Sequence, residues 1–363
     1  MKLSDFSPAT LWANLNKPKR IKLTQKLFLV QQLAVMIKAG ISLSVALKTL
    51  ADQSTSRSFK IILSDLQQGV EKGNLLSKCL ESYQRGFGEL FISMVKAGEA
   101  SGKLEEVLKQ LFVQMKKDHD IIAKVRGALT YPAIVVTMMV AIGILMMMYV
   151  IPTITSVFTE LNVVLPLPTR ILITVSAFSV KYGVFLLIGT AIGLSALIRL
   201  ERTDSGKKIF HTILLKLPIV GSIMKKINLA RFCRSLSSLL KTDIPIVQSI
   251  EITSRILGNV IYREALLEAK EKIKKGITIK DSLAGHEKLF PPVVLQMILV
   301  GEETGALDSI LEESATFYED DVNQTMTNLP SIIEPVLMII LGVGVGGMAV
   351  AVVMPLYSLS ESI

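Results

Sequence analysis

The chain is poor in the residues that carry most enzyme chemistry. Of its 363 residues, three are histidine, two cysteine and one tryptophan, and aromatics make up only 6%. His119, His211 and His286 stand far apart, with no carboxylate or cysteine companions at ligand spacing, so neither a zinc site nor a catalytic triad finds support. Two cysteines, Cys79 and Cys233, cannot make a disulfide framework and read as reduced core or surface thiols. The scarcity of aromatics also weighs against nucleic acid as a partner, because a basic face built for it needs stacking rings. Met1 to Leu27 lacks the apolar run of a secretory signal, being broken by Lys17, Pro18, Lys19, Arg20, Lys22 and Lys26. Charge itself is missing from one long stretch, since nothing between Arg126 and Glu160 is charged.

Apolar residues are what the chain has in excess. At 50% hydrophobic and a mean hydropathy of +0.50, the composition is that of an integral membrane protein. Pro132 to Ile151 has the roughly 20 apolar residues that a hydrocarbon layer demands of a helix. Tyr182 to Ile198, between Lys181 and Arg199, is a shorter candidate, preceded by an interfacial approach from Ile171. Pro335 to Pro355 is the third. Residues 1–130 carry 20 lysines and arginines and residues 199–330 carry 18, whereas the Pro152 to Thr169 loop and the tail after Met354 carry none. The positive-inside rule therefore places both large segments in the cytoplasm and explains the formal net charge of +9 as topology.

The chain also contains itself twice. Phe28 to Pro152 recurs as Arg231 to Pro355 at a constant offset of 203 residues (231 − 28), without a gap. Leu33 pairs with Leu236, Lys38 with Lys241, Gly73 with Gly276 and Leu80 with Leu283. Gly98, Glu99 and Gly102 pair with Gly301, Glu302 and Gly305, and Pro132 and Pro152 with Pro335 and Pro355. This period is too long for a solenoid and marks duplication of a whole domain together with its membrane helix.

Within each repeat the apolar residues fall at helical steps, as in Leu29, Leu33, Met36 and Ile37 or Phe232, Leu236, Leu239 and Leu240. Breaks are expected at Gly40 with Ser42 starting the next helix, at Asp243 with Pro245, and at Gly73 and Gly276. A turn at Gly98 to Gly102, and at Gly301 to Gly305, should lead into a long helix toward the bilayer. The expected fold is an all-α membrane protein, with two duplicated six-helix cytoplasmic bundles and three transmembrane helices. Its parts are a basic arm at 1–22 carrying Trp12, cytoplasmic helical domain 1 at 23–130, and a first span at 131–152. An outer loop at 153–170, a second span with its approach at 171–199, and a linker and domain 2 at 200–333 follow. The third span covers 334–355 and an outer tail 356–363.

Two motifs resemble ligand loops and fail on their details. GEASGK, Gly98 to Lys103, has three residues between its glycines where a phosphate loop needs four, then Leu104 where it needs Ser or Thr. Gly342, Gly344 and Gly347 fit GxGxxG but lie inside an apolar run, where Gly342 and Gly346 make the GxxxG spacing of close-packed membrane helices. Glu334 opens the third span where Tyr131 opens the first, a costly place for a carboxylate. It is either paired to a local lysine or functional. The acidic stretch from Glu302 through Glu312, Glu313, Glu319, Asp320 and Asp321 is a solvated face or a seat for a basic partner.

GEASGKL and GEETGAL, the YP and EP pairs opening the first and third spans, LPLPTRIL from Leu165 to Leu172, and LPIVGSI followed by Arg231 together resemble the GspF/PilC family of inner-membrane platform proteins. The resemblance covers about residues 25–358 and implies a non-enzymatic role, with no cofactor, metal or catalytic residue. The implied partners are a hexameric cytoplasmic assembly ATPase, pilins or pseudopilins, other inner-membrane assembly proteins, membrane lipid and further copies of the chain as a homo-oligomer. Many relatives carry a longer region before the first repeat, which favours a pilus-type or competence-type member here. Candidate partner or assembly residues are Glu334, the two glycine turns with Glu99 and Glu302, Pro132, Pro335, Gly342, Gly346 and Arg231. The rival reading, a small-solute transporter built from a repeat, wants more polar spans than Lys181 and Glu334 supply.

Overall fold

A computed structural model describes residues 21–153, 155, 167–201 and 203–361, whose regular elements are all helices joined by short turns, with no strand among them. The basic arm, Trp12 included, and most of the outer loop lie outside the described residues. The first repeat comprises α1 (Leu23–Lys38), α2 (Leu43–Gln53), α3 (Arg57–Glu71), α4 (Leu76–Glu81), α5 (Gln84–Phe87), α6 (Glu89–Ser101) and the start of α7 (Leu104–Leu145). After α8 (Leu167–Glu201) and α9 (Asp204–Lys216) comes the second repeat. It comprises α10 (Pro218–Leu240), α11 (Ile246–Ile256), α12 (Val260–Ile273), α13 (Ile279–Leu283), α14 (Pro292–Thr304) and α15 (Leu307–Glu361). Shifted by the repeat offset, the bounds of α2 and α6 become those of α11 and α14, and the start of α7 becomes the start of α15. The register of the sequence is the register of the fold. One small element differs: α5 falls at 287–290, where the second repeat has a turn in place of a helix, just after a 3₁₀ turn at Ala284–His286.

Local chemistry explains the boundaries. In α3, Phe59, Ile62, Leu63 and Leu66 fall at helical steps and are the buried residues of the helix. Gly40 (φ 78°) after α1 and Gly73 (φ 82°) after α3 adopt the left-handed backbone that ends a helix, as Gly276 (φ 84°) does after α12. Asp243, at the position of Gly40, takes φ 59° and is the only non-glycine residue with positive φ among the described residues. It therefore stops α10 rather than capping α11, whose N-cap is Pro245. Asn259 and Thr278 cap α12 and α13 by accepting hydrogen bonds from the backbone N–H groups of Ile261 and Asp281.

The contacts divide the chain into two compact units. The first takes residues up to 122 and 211–322, and so joins the helical parts of both repeats; the second takes 123–210 and everything from 323 on. In the first unit a continuous core of Leu33, Leu47, Leu63, Met94 and Leu108 extends across the repeat boundary to Leu239, Ile244 and Ile252. The second repeat adds an aromatic centre, with Phe290 set edge-on to both Phe232 (5.1 Å) and Tyr262 (5.4 Å). Tyr262 donates from its hydroxyl to the Leu289 carbonyl at 2.9 Å, which satisfies the one polar atom in that cluster.

The helical stretches Leu104–Thr153 and Leu307–Ala351, whose later parts belong to the second unit, are long and apolar enough to cross a membrane. A further apolar pair, Thr169–Phe178 and Lys181–Thr190, is bent by 44° within α8. Hydroxyls tie α8 to its neighbours: Thr169 donates to the Ala351 carbonyl at 2.8 Å and Ser176 to the Met147 carbonyl at 2.6 Å. Such bonds hold apolar helices together where burial in lipid gives no driving force. The carbonyl of Met147 lies in a π-helical stretch, Met146–Val150, that follows α7.

Candidate functional site

The duplicated glycine-glutamate motif is a corner built identically in both repeats, with a separate task for each residue. Gly98 and Gly301 lie inside α6 and α14, where the next helix crosses closely. A Cβ on Gly98 would meet Val107 Cγ2 at 2.9 Å and Leu104 Cα at 3.1 Å, and one on Gly301 would meet Leu307 Cα at 2.9 Å. Gly102 (φ 70°) and Gly305 (φ 69°) take the left-handed conformation that reverses the chain into α7 and α15. Only two residues separate the helices, so the turn is shorter than the motif suggests.

The carboxylates between those glycines turn back to cap another helix. Glu99 accepts hydrogen bonds from the backbone N–H groups of Leu76 (2.5 Å) and Ser77 (3.0 Å) at the start of α4. Glu302 accepts from Ile279 (2.7 Å) and Lys280 (3.2 Å) at the start of α13. Each charge sits at the positive end of a helix and satisfies two N–H groups that have no partner within it. The spacing of the motif signals the turn; the cap is invisible in sequence, because donor and acceptor stand 22 or 23 residues apart on different helices.

Where the two repeats meet, α7, α10 and α15 exchange charges. Arg234 is buried and forks onto Glu319, with Nε 2.7 Å from one carboxylate oxygen and a terminal nitrogen 2.9 Å from the other. It also donates to Thr316 Oγ1 at 3.1 Å and reaches Glu312 at 3.4 Å. Lys117 of α7 adds a contact to Glu319 at 3.0 Å, Lys241 pairs with Glu312, and Lys226 pairs with Asp321 at 2.7 Å. Arg231 lies 3.3 Å from Asp118. Burial pushes the Asp118 carboxyl above its ordinary value, against the pull of that guanidinium. Beside these pairs, Gln114 donates to Ser235 Oγ at 3.3 Å and accepts from Ser238 Oγ at 3.2 Å. Farther along, Lys103 pairs with Asp243 at 3.0 Å and Arg255 with Glu89 at 2.6 Å.

This geometry redistributes the sequence candidates. Arg231 enters the inter-repeat seam. Glu302, Glu312, Glu319 and Asp321, read together as an acidic face, are engaged inside the protein. Glu334 is exposed, at the point where the third apolar run opens. Pro132 is buried within α7 and Pro335 exposed within α15. Gly342 and Gly346 face open space, with nothing within 4 Å of where a Cβ would sit. Sequence reading missed Arg234 and Gln114, which are ordinary polar residues until their burial is known. No group of three or more His, Cys, Asp or Glu side chains is placed to hold a metal among the described residues.

Comparison with known proteins agrees with the duplication. The family described as type II secretion system protein F matches the chain twice, at residues 29–152 and 232–355. A type IV pilus assembly protein PilC from Thermus thermophilus is 36% identical over 330 residues, covering 91% of this chain and 81% of the relative. The Myxococcus xanthus protein of the same name is 32% identical, covering 93% and 81%. A type II secretion system protein F from Pseudomonas aeruginosa is 30% identical, covering 91% and 82%. With two matched repeats in one register and relatives aligned over nearly its whole length, the chain belongs to the GspF/PilC family.

Proposed function

We propose that this chain is the inner-membrane platform of a type IV pilus-like assembly machine, coupling a hexameric cytoplasmic ATPase to polymerisation of pilins. The carrying observation is the pair of relatives named for type IV pilus assembly, aligned over more than nine-tenths of the chain. The type II secretion reading, with pseudopilins in place of pilins, is supported by the secretion-system relative and differs in the filament built rather than in the platform.

Charge asymmetry supports a cytoplasmic position for both repeats, which makes the first and third apolar helices outward crossings and α8 the return. On this reading the repeats form two helical domains beneath the membrane, the chain is a homo-oligomer, and its role is to transmit motion rather than to catalyse. α7 and α15 suit transmission, because each starts at a repeat's glycine corner and continues as helix into an apolar run. Glu334 is poised where the third run opens, and we assign it transient capture of a positively charged group on an incoming pilin. Gly342 and Gly346 offer an open small-residue face for a neighbouring membrane helix.

Surface filaments counted by electron microscopy, in a strain deleted for this gene and after complementation, test the reading. Loss and return of filaments establishes the platform role. Unchanged filament number with lost protein secretion moves the chain to the secretion pathway. Complementation with Glu334→Gln should give few filaments at normal chain abundance; a normal count removes Glu334 from the mechanism.

A further inference from the structure

The two repeats pack on each other through non-equivalent faces, which leaves one complementary pair of faces unused. The used contact sets α6 and α7 of the first repeat against α10 and α11 of the second. Gln114 meets Ser238 there, Leu90 and Ala97 pack against the core, and Ile244 is buried. The repeat offset carries each participant to its counterpart in the other repeat. Gln114 becomes Phe317, Leu90 becomes Val293 and Ala97 becomes Val300, all on α14 and α15. Ser238 becomes Val35, Ile244 becomes Ile41 and Arg231 becomes Phe28, all on or beside α1.

All six counterparts are exposed, and all six are apolar. Gln114 is 1% exposed but Phe317 61%; Ser238 is 3% exposed but Val35 59%; Val293 is 64% exposed. This inverts what a free surface requires, because the covered copies include Gln, Ser and Arg while the bare copies are Phe, Val and Ile. Contiguous exposed apolar side chains mark an interaction surface, and an exposed aromatic is the usual anchor of one. Lipid does not explain Phe317, which lies several helical turns before the Glu334 that opens its apolar run.

We propose that a second copy of this chain covers these faces, its α1 and α2 packing on the α14 and α15 of the first in the way α10 and α11 pack on α6 and α7 within one chain. The occupant follows from continuity. The partner of an α7-type face is known from the fold to be an α10-type face, and the free α10-type face is α1. The contact is heterologous, so it repeats around a closed ring or runs on as an open array. This deepens the self-association included in the proposed function and rests on it.

The test is site-directed disulfide formation in full-length chains in native membranes, with Cys79 replaced by serine. One tagged chain carries Val35→Cys and a differently tagged chain carries Phe317→Cys, the pair equivalent to Ser238 and Gln114. The expected result is a two-chain product carrying both tags, lost when Ile61→Cys, exposed at 54% outside this face, replaces Val35→Cys. Phe317→Glu should abolish the larger assembly in mild detergent while leaving the chain's melting temperature unchanged. A larger assembly in which Phe317→Cys joins only itself, a site within its own chain or another protein overturns the proposed surface and keeps self-association. A single-chain mass at every concentration overturns both.

Discussion

The two repeats are the same fold under different constraints, and their differences follow what covers them. α1 has an exposed face, with Gln31 and Lys38 in solvent, whereas α10 is buried from Asn228 to Leu239 except at half-buried Arg231. At the repeat offset, Gln31 corresponds to Arg234, and Lys109 and Lys116 to Glu312 and Glu319. Where the helix surface is free within one chain, duplication has left a neutral glutamine and two lysines at these positions. Where α10 is enclosed by α7 and α15, the same positions hold a guanidinium forked on a carboxylate. The corners, in contrast, have not diverged, because backbone geometry allows a left-handed turn and a close helix crossing few substitutes for glycine.

The sharpest way to break this comparison is to remove the buried charge. Arg234 and Glu319 are 7% and 4% exposed at the side chain, so Arg234→Met removes the forked partner, leaves the buried carboxylate to the more exposed Lys117, and should cost about 3 kcal/mol of stability. Gln31→Met, at the equivalent place in the first repeat, should stay within about 0.5 kcal/mol. Thermal unfolding of the full chain in detergent reads both. Equal losses would mean that the face of α1 is enclosed as α10 is.

The corners should instead respond alike. Glu99→Ala and Glu302→Ala each remove two charge-assisted bonds to a helix start, a loss of about 1–3 kcal/mol. Gly98→Ala and Gly301→Ala force helices apart and should cost about 1–3 kcal/mol. The comparison sharpens if the members of each pair agree within about 0.5 kcal/mol, and fails if one repeat tolerates the change and the other does not. The same unfolding measurement decides it.

These corners also mark how far sequence alone reaches. The repeat register, the helical periodicity and the stops at Gly40, Gly73 and Gly276 were legible because they depend on local spacing and on the conformational freedom of single residues. The two long apolar helices were legible from the absence of charge. The tasks of Glu99 and Glu302 were not, since a carboxylate reaching back 22 or 23 residues to a different helix leaves no periodic trace. Nor was the engagement of Glu312, Glu319 and Asp321, which read as an acidic surface until α10 and α7 bring Arg234, Lys226 and Lys117 against them. The break at Asp243 was legible from its place opposite Gly40, but its left-handed backbone was not, since an aspartate does not announce positive φ as a glycine does.

Aspartate in the place of glycine predicts a smaller effect. Left-handed backbone costs a residue with a Cβ about 1–2 kcal/mol relative to glycine, so Asp243→Gly should leave stability level or slightly raised, the relief offset by loss of the exposed pair with Lys103. Gly40→Asp, at an exposed position away from the inter-repeat contact that holds Lys103 and Asp243, should lower stability by about 1–2 kcal/mol. Adding salt should narrow the gap between wild type and Asp243→Gly, since it screens only the wild-type pair.

The two thiols give the comparison a readout that does not depend on stability. Cys79 is half-buried and Cys233 fully buried. Loss of solvent raises both thiols, with Asp65 and then Glu99 adding to the effect at Cys79, and burial pushes Cys233 up to about 12. At pH 8 the folded protein therefore holds almost none of Cys233 as thiolate, the form that alkylates. Maleimide should modify Cys79 slowly and leave Cys233 untouched until denaturant is added, with peptide mass mapping as the measurement. The linkage has a definite sign: a thiol whose folded value is raised favours folding at low pH. Its contribution is intact below the ordinary thiol range and is lost as pH climbs from about 9 toward about 12. Cys233→Ala should flatten that alkaline decline, whereas Cys79→Ala should change it less. Modification of Cys233 at pH 8 without denaturant would show that α10 separates from its neighbours in the folded chain, and the contrast between an open α1 and an enclosed α10 would fall with it.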